Sequence, residues 1–326
     1  MTREGNKKQL GFTLVEIMIA LVLGLVLIGG TVTMFVVNSS TQSFVQENSR
    51  LQENARYALT AIVDQVRAIS FLGCNPKIDL TSSSSSFVNI VDVTSSPNSF
   101  FYDLANQGTL IGYDDPSSFP ITTSTGSLDS SAVSNTDVLV IRSADTEGSP
   151  VTVAQSGTSG SITIADSDYV TDASDVLLIT DCVQAALFSA GATGSVFSPI
   201  ASISNTDAFD TDAVVYKFDS KVFYIADSSV DDSSGNSVPA LYEQTNGTDV
   251  ELVRGISDLQ LLWGIDTDSD DIPNQFVTAT NLTAFASWDD VVSVRIQITA
   301  QPVEDIVIDS DSGGRDFVAT VDLRNR

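Results

Sequence analysis

Three aspartates in the last quarter of the chain have a spacing typical of calcium-binding loops. Asp266, Asp268 and Asp270 occupy alternate positions in the stretch GIDTDSDDIPNQF. Ca²⁺ prefers hard oxygen ligands, and the carbonyl of Ile272 and the side chain of Asn274 would add two more. These residues form a candidate Ca²⁺ site, and Ca²⁺ is the one cofactor that the sequence indicates.

The same stretch departs from the usual calcium loop at two positions. Asp271 stands where that loop has glycine, and Val277 stands where it has a bidentate glutamate. The alternative is a solvated turn in a chain that is rich in aspartate, and the two departures favour this alternative.

The chain lacks the groups on which most catalytic centres depend. It contains no histidine, which excludes His-based triads and removes the commonest metal ligand. With 42 Asp and Glu residues, some carboxylates must lie near one another, so pairing alone does not indicate glycosidase-like chemistry. The sequence shows no nucleophile elbow, phosphate-binding loop or zinc-ligand spacing. We therefore expect no enzymatic activity.

The overall charge argues against a nucleic-acid partner. Lys and Arg total 15 against 42 Asp and Glu, which gives a formal net charge of −27. Phosphate backbones would be repelled by such a chain.

The two cysteines, Cys74 and Cys182, are too few for a disulfide scaffold but suit a single disulfide. Such a bond requires an oxidising compartment, so it depends on export of this part of the chain. By the chain-entropy argument, closing a loop of ~108 residues would stabilise the fold by roughly 4–5 kcal/mol. Two separate buried thiols are the alternative.

One acidic residue, Glu16, lies in an apolar segment at 12–37 that is long enough to cross a bilayer. An acid at the centre of a spanning helix costs roughly 2.5–3.5 kcal/mol on insertion scales. The preceding residues 1–11 are polar and basic, which favours a cytoplasmic location for that end. A secretory signal peptide fits poorly because its apolar region would be only about 7–15 residues long.

An amphipathic segment at 38–73 continues the apolar one. Apolar residues recur there at spacings of three and four: Leu51, Ala55, Ala58, Ile62, Val66 and Ile69. This pattern predicts one helix from about Phe12 to about Ser70, with an apolar stripe that a sheet must cover. Charged residues largely off the stripe predict the ion pairs Glu47–Arg50, Glu53–Arg56 and Asp64–Arg67.

The remainder of the chain, 74–326, has the pattern of a β-rich domain, with short apolar runs between turn signals. Predicted strands lie at 137–142 and 175–180, and predicted hairpins pair 213–218 with 221–226 and 242–243 with 250–253. Two further strands alternate strictly, with apolar residues at Val292, Val294, Ile296 and Ile298, and at Phe317, Ala319, Val321 and Leu323. The predicted class is α+β: a long N-terminal helix on an antiparallel sheet, with a β-rich insertion at roughly 80–210.

The stretch LGFTLVEIMIALVLGLVLIGG resembles the class III signal of type IV prepilins. The resemblance implies that a prepilin peptidase cleaves between Gly11 and Phe12 and methylates the new amino terminus of Phe12. It places Glu16 where the family carries its glutamate, which can pair with the amine of a neighbouring subunit. A carboxylate that is costly alone becomes tolerable when paired. Thr33 stands where many pilins have a helix-kinking proline, so a straighter helix is implied.

Five further stretches resemble the PilW family of minor pilins: RLQENARYALTAIVDQVRAISFLGC, TDCVQAALF, ELVRGISDLQLLWGIDTDSDD, WDDVVSVRIQI and VDLRNR. The resemblance implies a type IV pilin-like fold and a minor pilin that primes filament assembly at the pilus tip. Implied partners are the prepilin peptidase, other pilins and minor pilins, a tip adhesin and the inner membrane.

The implied location changes with assembly. Before assembly, the N-terminus is cytoplasmic, the helix crosses the inner membrane, and the β-rich domain 74–326, called the head, is periplasmic. After assembly, the subunit belongs to an extracellular pilus. Two alternatives stay open. A pseudopilin of a type II secretion system shares the start motif, whereas a membrane-anchored adhesin outside any filament would keep its leader.

Overall fold

The computed structural model describes residues 12–69, 71–72, 80, 86–94, 96–122, 126–157, 160–197, 208–285, 287–304 and 314–323. Its first element is a single long helix, α1 (Leu14–Arg67), of 54 residues. At 1.5 Å per residue, α1 is about 80 Å long. The helix is continuous through Thr33, whose hydroxyl donates to the carbonyl of Gly29 at 2.9 Å. The predicted long helix is confirmed.

A ten-stranded sheet forms the larger part of the domain after α1. Its strands are β1 (Phe87–Asn89), β2 (Leu110–Tyr113), β3 (Val138–Val153), β4 (Ile162–Ile164), β5 (Val176–Thr180), β6 (Ala185–Ser189), β7 (Val196–Phe197), β8 (Val214–Asp227), β9 (Pro239–Thr245) and β10 (Thr248–Arg254). The main path runs β1-β6-β5-β8-β3-β4-β7, while β2 pairs with β3, β9 with β8, and β10 with β9. The pairing is antiparallel except between β1 and β6. Two short helices, α2 (Asn98–Phe101) and α3 (Leu104–Gln107), lie between β1 and β2.

A smaller, four-stranded antiparallel sheet follows in sequence. Its strands are β11 (Ile256–Ile265), β12 (Gln275–Val277), β13 (Val291–Ala300) and β14 (Arg315–Asp322), in the order β12-β11-β13-β14. A fourth helix, α4 (Ala279–Phe285), connects β12 to β13. The long N-terminal helix and the antiparallel sheets confirm the predicted α+β class. The larger sheet continues to Arg254, and the boundaries of the predicted insertion at 80–210 stay a prediction.

The second half of α1 packs its apolar stripe on the smaller sheet. All six residues of the predicted stripe are buried, and they share one core with residues of β11, β13 and β14: Leu259, Leu261, Trp263, Val294, Ile296, Ile298 and Val321. Burying one Leu, Ile or Val side chain stabilises a fold by about 1.5–3 kcal/mol. The stripe is therefore what attaches α1 to the domain.

Two of the three predicted ion pairs on α1 form. The Arg50 guanidinium lies 3.0 Å from the Glu47 carboxylate, and Arg67 lies 3.6 Å from Asp64. The prediction of a Glu53–Arg56 pair is wrong. Exposed ion pairs stabilise a helix by only tenths of a kcal/mol, too little to hold two mobile side chains together at every candidate position.

The predicted hairpin of 213–218 with 221–226 is wrong, because both runs belong to the single strand β8. The two polar residues between them, Asp219 and Ser220, form no turn. Asn246 bonds to both: its side-chain amide donates to the Asp219 carboxylate at 2.8 Å and accepts from the backbone N–H of Ser220 at 2.9 Å. The first half of β8 pairs with β5 and the second half with β9, which explains why the sequence resembles two strands. The other predicted hairpin is confirmed as β9 and β10, joined by Asn246 and Gly247.

A fully buried arginine, Arg142 on β3, organises the segment that contains α2 and α3. Its guanidinium donates to the carbonyls of Phe100 at 2.7 Å, Phe101 at 3.2 Å and Gly108 at 3.2 Å. It also lies over the Phe100 ring, 4.8 Å from the centroid. Burial lowers the pKa of Arg142 to about 10, so the side chain stays charged at neutral pH. Carbonyl oxygens therefore solvate a buried cation here.

Backbone and carboxylate hydrogen bonds join the two sheets. The Asp137 N–H donates to the carbonyl of Leu259 at 2.7 Å, and the Leu261 N–H donates to the Asp137 carboxylate at 2.6 Å. The Asp114 carboxylate accepts from the backbone N–H groups of Ala279 at 2.8 Å and Thr280 at 3.0 Å, at the start of α4. Carboxylates are favourable at a helix N-terminus, so Asp114 fixes α4 against the larger sheet.

A tight aromatic contact reinforces the same junction. The Trp263 ring lies where a Cβ on Gly112 would stand, so β2 accommodates the indole only with glycine at this position. Trp263 also meets Trp288 edge to face at a centroid distance of 4.8 Å. The two sheets are thus joined by both packing and hydrogen bonds.

The junction contains a carboxyl group with an unusual proton affinity. Burial raises the pKa of Asp137 to about 7, although the Leu261 N–H acts in the opposite direction. The carboxylates of Asp114, Asp258 and Asp115 raise it further. The folded protein therefore holds this proton at pH values where the unfolded chain, with an ordinary aspartate pKa near 3.9, has lost it.

We predict that Asp137 makes the fold less stable as the pH rises from about 4 to about 7. Over that window its contribution to the free energy of unfolding should fall by up to about 4 kcal/mol. Asp137→Asn keeps an oxygen for the Leu261 N–H but cannot ionise, so this loss should disappear. Chemical denaturation of the full chain in detergent at several pH values measures the effect, with the exposed Asp231→Asn as control. Equal pH dependence in wild type and Asp137→Asn would contradict the assignment.

Candidate assembly site at the helix N-terminus

The residues that the sequence singles out for processing and assembly lie at the start of α1. Phe12 and Thr13 precede the first helical residue, and Glu16 lies in the first turn. Gly11 and the rest of 1–11 lie outside the described residues, so cleavage at Gly11–Phe12 and methylation of Phe12 stay predictions.

Thr13 and Glu16 form a capping box, in which each side chain accepts a backbone N–H of the other residue. The Thr13 hydroxyl oxygen accepts the Glu16 N–H at 3.4 Å, and the Glu16 carboxylate accepts the Thr13 N–H at 3.4 Å. Glu16 therefore lies at the positive end of the helix dipole, not at the centre of the apolar segment. This position lowers the cost of the charge within the single chain.

The signal for this capping box was present in the sequence. Thr13-Leu14-Val15-Glu16 has the S/T-x-x-E pattern that precedes an apolar helical run. Sequence reasoning considered Glu16 for its charge and missed Thr13 as its partner.

The first half of α1 has an apolar surface that nothing in the described chain covers. Its large apolar side chains are exposed from Phe12, at 81 %, to Val45, at 57 %. The hydroxyls of four residues on this surface donate to backbone carbonyls three or four residues earlier: Thr31, Thr33, Ser40 and Thr41. Among the described residues, α1 is the one helix long and apolar enough to cross a membrane.

Three glycines, Gly24, Gly29 and Gly30, leave open space on this part of the helix. Apart from the nearby backbone of α1 itself, no atom lies within 4 Å of the position of an added Cβ at any of them. Small residues of this kind allow a second helix to approach closely in an apolar environment. The surface therefore suits both lipid and a bundle of similar helices.

The three aspartates of the candidate Ca²⁺ site do come together. One oxygen from each of Asp266, Asp268 and Asp270 lies within 4.8 Å of the others. Asp271, at the glycine position of a calcium loop, has a positive φ of 62°. Hydrogen bonds within the loop account for its conformation without a metal ion. The Asp266 carboxylate accepts the N–H groups of Asp268, Ser269 and Asp271 at 3.1, 2.7 and 2.8 Å.

These bonds set the proton affinity of Asp266. Burial acts to raise its pKa, but the backbone N–H groups that it accepts outweigh burial and hold the pKa below the usual value. The carboxylate is thus stable as an anion within its own turn, as in the solvated-turn alternative. Calcium binding stays a prediction.

Cys182 lies in the tight connection between β5 and β6, with a φ of 71°. The preceding Asp181 holds this turn, since its carboxylate accepts the N–H groups of Val183 at 3.0 Å and Gln184 at 2.9 Å. Cys74 lies outside the described residues, so the pairing of the two cysteines stays a prediction.

Two family models match separate parts of the chain. Residues 222–325 match PilW, the Type IV Pilus-assembly protein W, and residues 6–32 match the prokaryotic N-terminal methylation motif. These matches support a PilW-like prepilin. No curated protein and no solved structure gives a significant match.

The two matches cover different parts of this PilW-like chain. The PilW match runs from the second half of β8 through the smaller sheet, and the methylation-motif match covers the residues just before α1 and the first part of its exposed half. Together they support a type IV pilus-related minor pilin, and they fit an inner-membrane anchor in α1 and interaction with a prepilin peptidase and other pilins. A structural role of this kind is consistent with the absence of enzymatic activity expected from the sequence.

We predict that Cys74 and Cys182 form one disulfide in the exported protein. Peptide mapping by mass spectrometry without reduction should recover the two cysteine-containing peptides as a linked pair, and a reduced sample provides the control. Alkylation of both thiols before reduction would contradict the prediction.

Proposed function

We propose that this chain is a minor pilin that primes type IV pilus assembly and lies at the pilus tip. The single observation that carries the proposal is the N-terminus of α1, where Glu16 stands in the first turn of a helix with an uncovered apolar surface. The PilW and methylation-motif matches support the same proposal.

The proposed assembly step exchanges one partner of Glu16 for another. In the free subunit, the N–H and the hydroxyl of Thr13 donate hydrogen bonds to the Glu16 carboxylate. Cleavage before Phe12 would create a charged amine, and the amine of a neighbouring subunit would then pair with Glu16 within a bundle of apolar helices. An ion pair in an apolar environment is strong only when both partners are present, so incorrectly aligned subunits are disfavoured.

The proposed locations follow from this step. The head would lie in the periplasm while α1 is in the inner membrane, and it would become extracellular when the helix enters the filament. Other minor pilins and a tip adhesin are the proposed partners. A pseudopilin of a type II secretion system would use the same N-terminal chemistry, whereas an anchored adhesin outside any filament has no need of Glu16.

We predict that Glu16→Val inserts into the membrane at least as well as wild type but strongly reduces piliation. Removing one partner of a buried ion pair costs roughly 3–5 kcal/mol, because the other charge is left unpaired. Membrane fractionation and electron microscopy of pili in a strain carrying only the variant measure the two effects.

Glu16→Gln is the matched variant, since glutamine also completes a capping box but carries no charge. Piliation should be lost to a similar degree with Gln and with Val. Normal piliation with Gln would show that Glu16 acts only as a helix cap, and the pairing step would be wrong.

We also predict that the mature chain begins at Phe12 and is rare in sheared pili. N-terminal mapping and quantitative mass spectrometry of purified pili test both points. A retained leader would favour the anchored adhesin, and recovery of this chain as the main filament protein would contradict a minor role.

A further inference from the structure

The edge strand β14 differs from the other strands at the edges of the two sheets. Exposed edges are templates for pairing with other chains, and proteins usually protect them by short length, bulges or proline. Among the described edge strands, β1 and β12 have three residues, β7 has two and β2 has four. The longer β10 has a register shift between Glu251 and Val253. In contrast, β14 pairs over eight residues with β13 without any shift, and its charged residues, Arg315, Asp316 and Asp322, stand only at its two ends.

The backbone of β14 offers a free row of hydrogen-bonding groups. The N–H of Leu323, just after the strand, donates to Val292 on β13 at 2.8 Å. Because N–H and C=O groups alternate in direction along an antiparallel strand, those of the even-numbered residues point away from β13. These residues are Asp316, Val318, Thr320 and Asp322. Within the described part of the chain, β14 pairs with β13 alone.

A groove of about 900 Å³ lies between this strand and α1. Leu59 and Val63 of α1 and Phe317 and Ala319 of β14 line it with apolar surface. An added strand beside β14 would place every second side chain in this groove. The groove thus supplies side-chain contacts next to the free backbone.

The charges of the groove are unlike those of the whole chain. Arg56, Arg67 and Arg315 line it together with three acidic residues, whereas the chain carries a net charge of −27. Arg67 pairs with Asp64, but Arg56 and Arg315 form no ion pair among the described residues. Glu53 is likewise without an ion pair among the described residues, so the excess of two free cations over one free anion favours an occupant with carboxylates on its groove side.

We propose that β14 and the groove beside it bind an extended segment of a second protein, which adds a fifth strand to the smaller sheet. The segment has apolar residues and carboxylates on its groove side. Its other side is uncharged. Asp316 borders the groove, but its carboxylate accepts from the Gln297 and Thr299 side chains on the face of the sheet away from α1. Asp322 is also exposed. The inference stands on the sheet edge and does not depend on the proposed role in priming.

A second copy of β14 is a poor occupant. In the antiparallel register that pairs all four outward-pointing residues, Asp316 of each copy would lie directly opposite Asp322 of the other. Like charges at directly opposed positions are destabilising. A different chain therefore fits the edge better.

The test uses the full chain in detergent micelles and a synthetic probe. The probe is a peptide of about nine residues in which valine and threonine alternate and each end has a groove-facing glutamate; the control peptide has lysine at both ends. Fluorescence anisotropy should show tighter binding of the glutamate peptide by about tenfold. Hydrogen exchange should show new protection of the Val318 and Thr320 amides.

Val318→Pro removes one outward-pointing N–H at a place where an edge strand tolerates proline. It should weaken binding of the glutamate peptide by about tenfold, since the strand ladder is interrupted, while Val318→Thr should bind normally. Circular dichroism and thermal unfolding check that both variants are folded.

A second variant keeps the proposal testable if the proline variant does not fold. Arg56→Glu combined with Arg315→Glu should reverse the preference, so that the lysine peptide binds better. Failure of wild type to bind the glutamate peptide would overturn the proposal. Unchanged binding to a folded Val318→Pro variant, or an unchanged preference in the double variant, would overturn it as well.

Discussion

The structure depends on one division within α1: its second half has a sheet to cover it, and its first half does not. Leu51, Ala55, Ala58 and Ile62 are buried against the smaller sheet, while the apolar side chains from Phe12 to Val45 remain exposed. Exposed apolar surface of this extent is unfavourable in water. The first half therefore suits an environment of lipid or other helices, whereas the smaller sheet already covers the second half.

Periodic parts of the fold could be predicted because their pattern is local. The apolar stripe on α1 and the alternating apolar residues of β13 each predict that one face of the element is buried. Both predictions are confirmed. Asp219 and Ser220 in β8 were misassigned to a turn because Asn246, which hydrogen-bonds to both, comes later in the chain. Buried charges gave no local signal either, since Arg142 and Asp137 are stabilised by carbonyl and N–H groups distant in sequence.

The candidate site was predictable in part for the same reason. Glu16 could be identified as an unusual acid from its apolar neighbours, and the comparison with family models supports the motif that contains it. Its position at the positive end of the helix dipole also follows from the sequence, because the predicted helix begins at about Phe12 and Thr13-Leu14-Val15-Glu16 has the capping-box pattern. The proximity of Asp266, Asp268 and Asp270 followed from their spacing, but the hydrogen bonds that already use Asp266 did not.

Because α1 is one continuous helix, its N-terminus moves together with the head that is attached to its other end. From Glu47, where burial begins, to Leu14 the helix runs unsupported for about 50 Å. A rotation of the head by about 5° would displace the far end by roughly 4 Å, more than the length of an ion pair. In the assembly proposed above, contacts made by the sheets at one end of α1 would thus influence whether Glu16 at the other end reaches an amine.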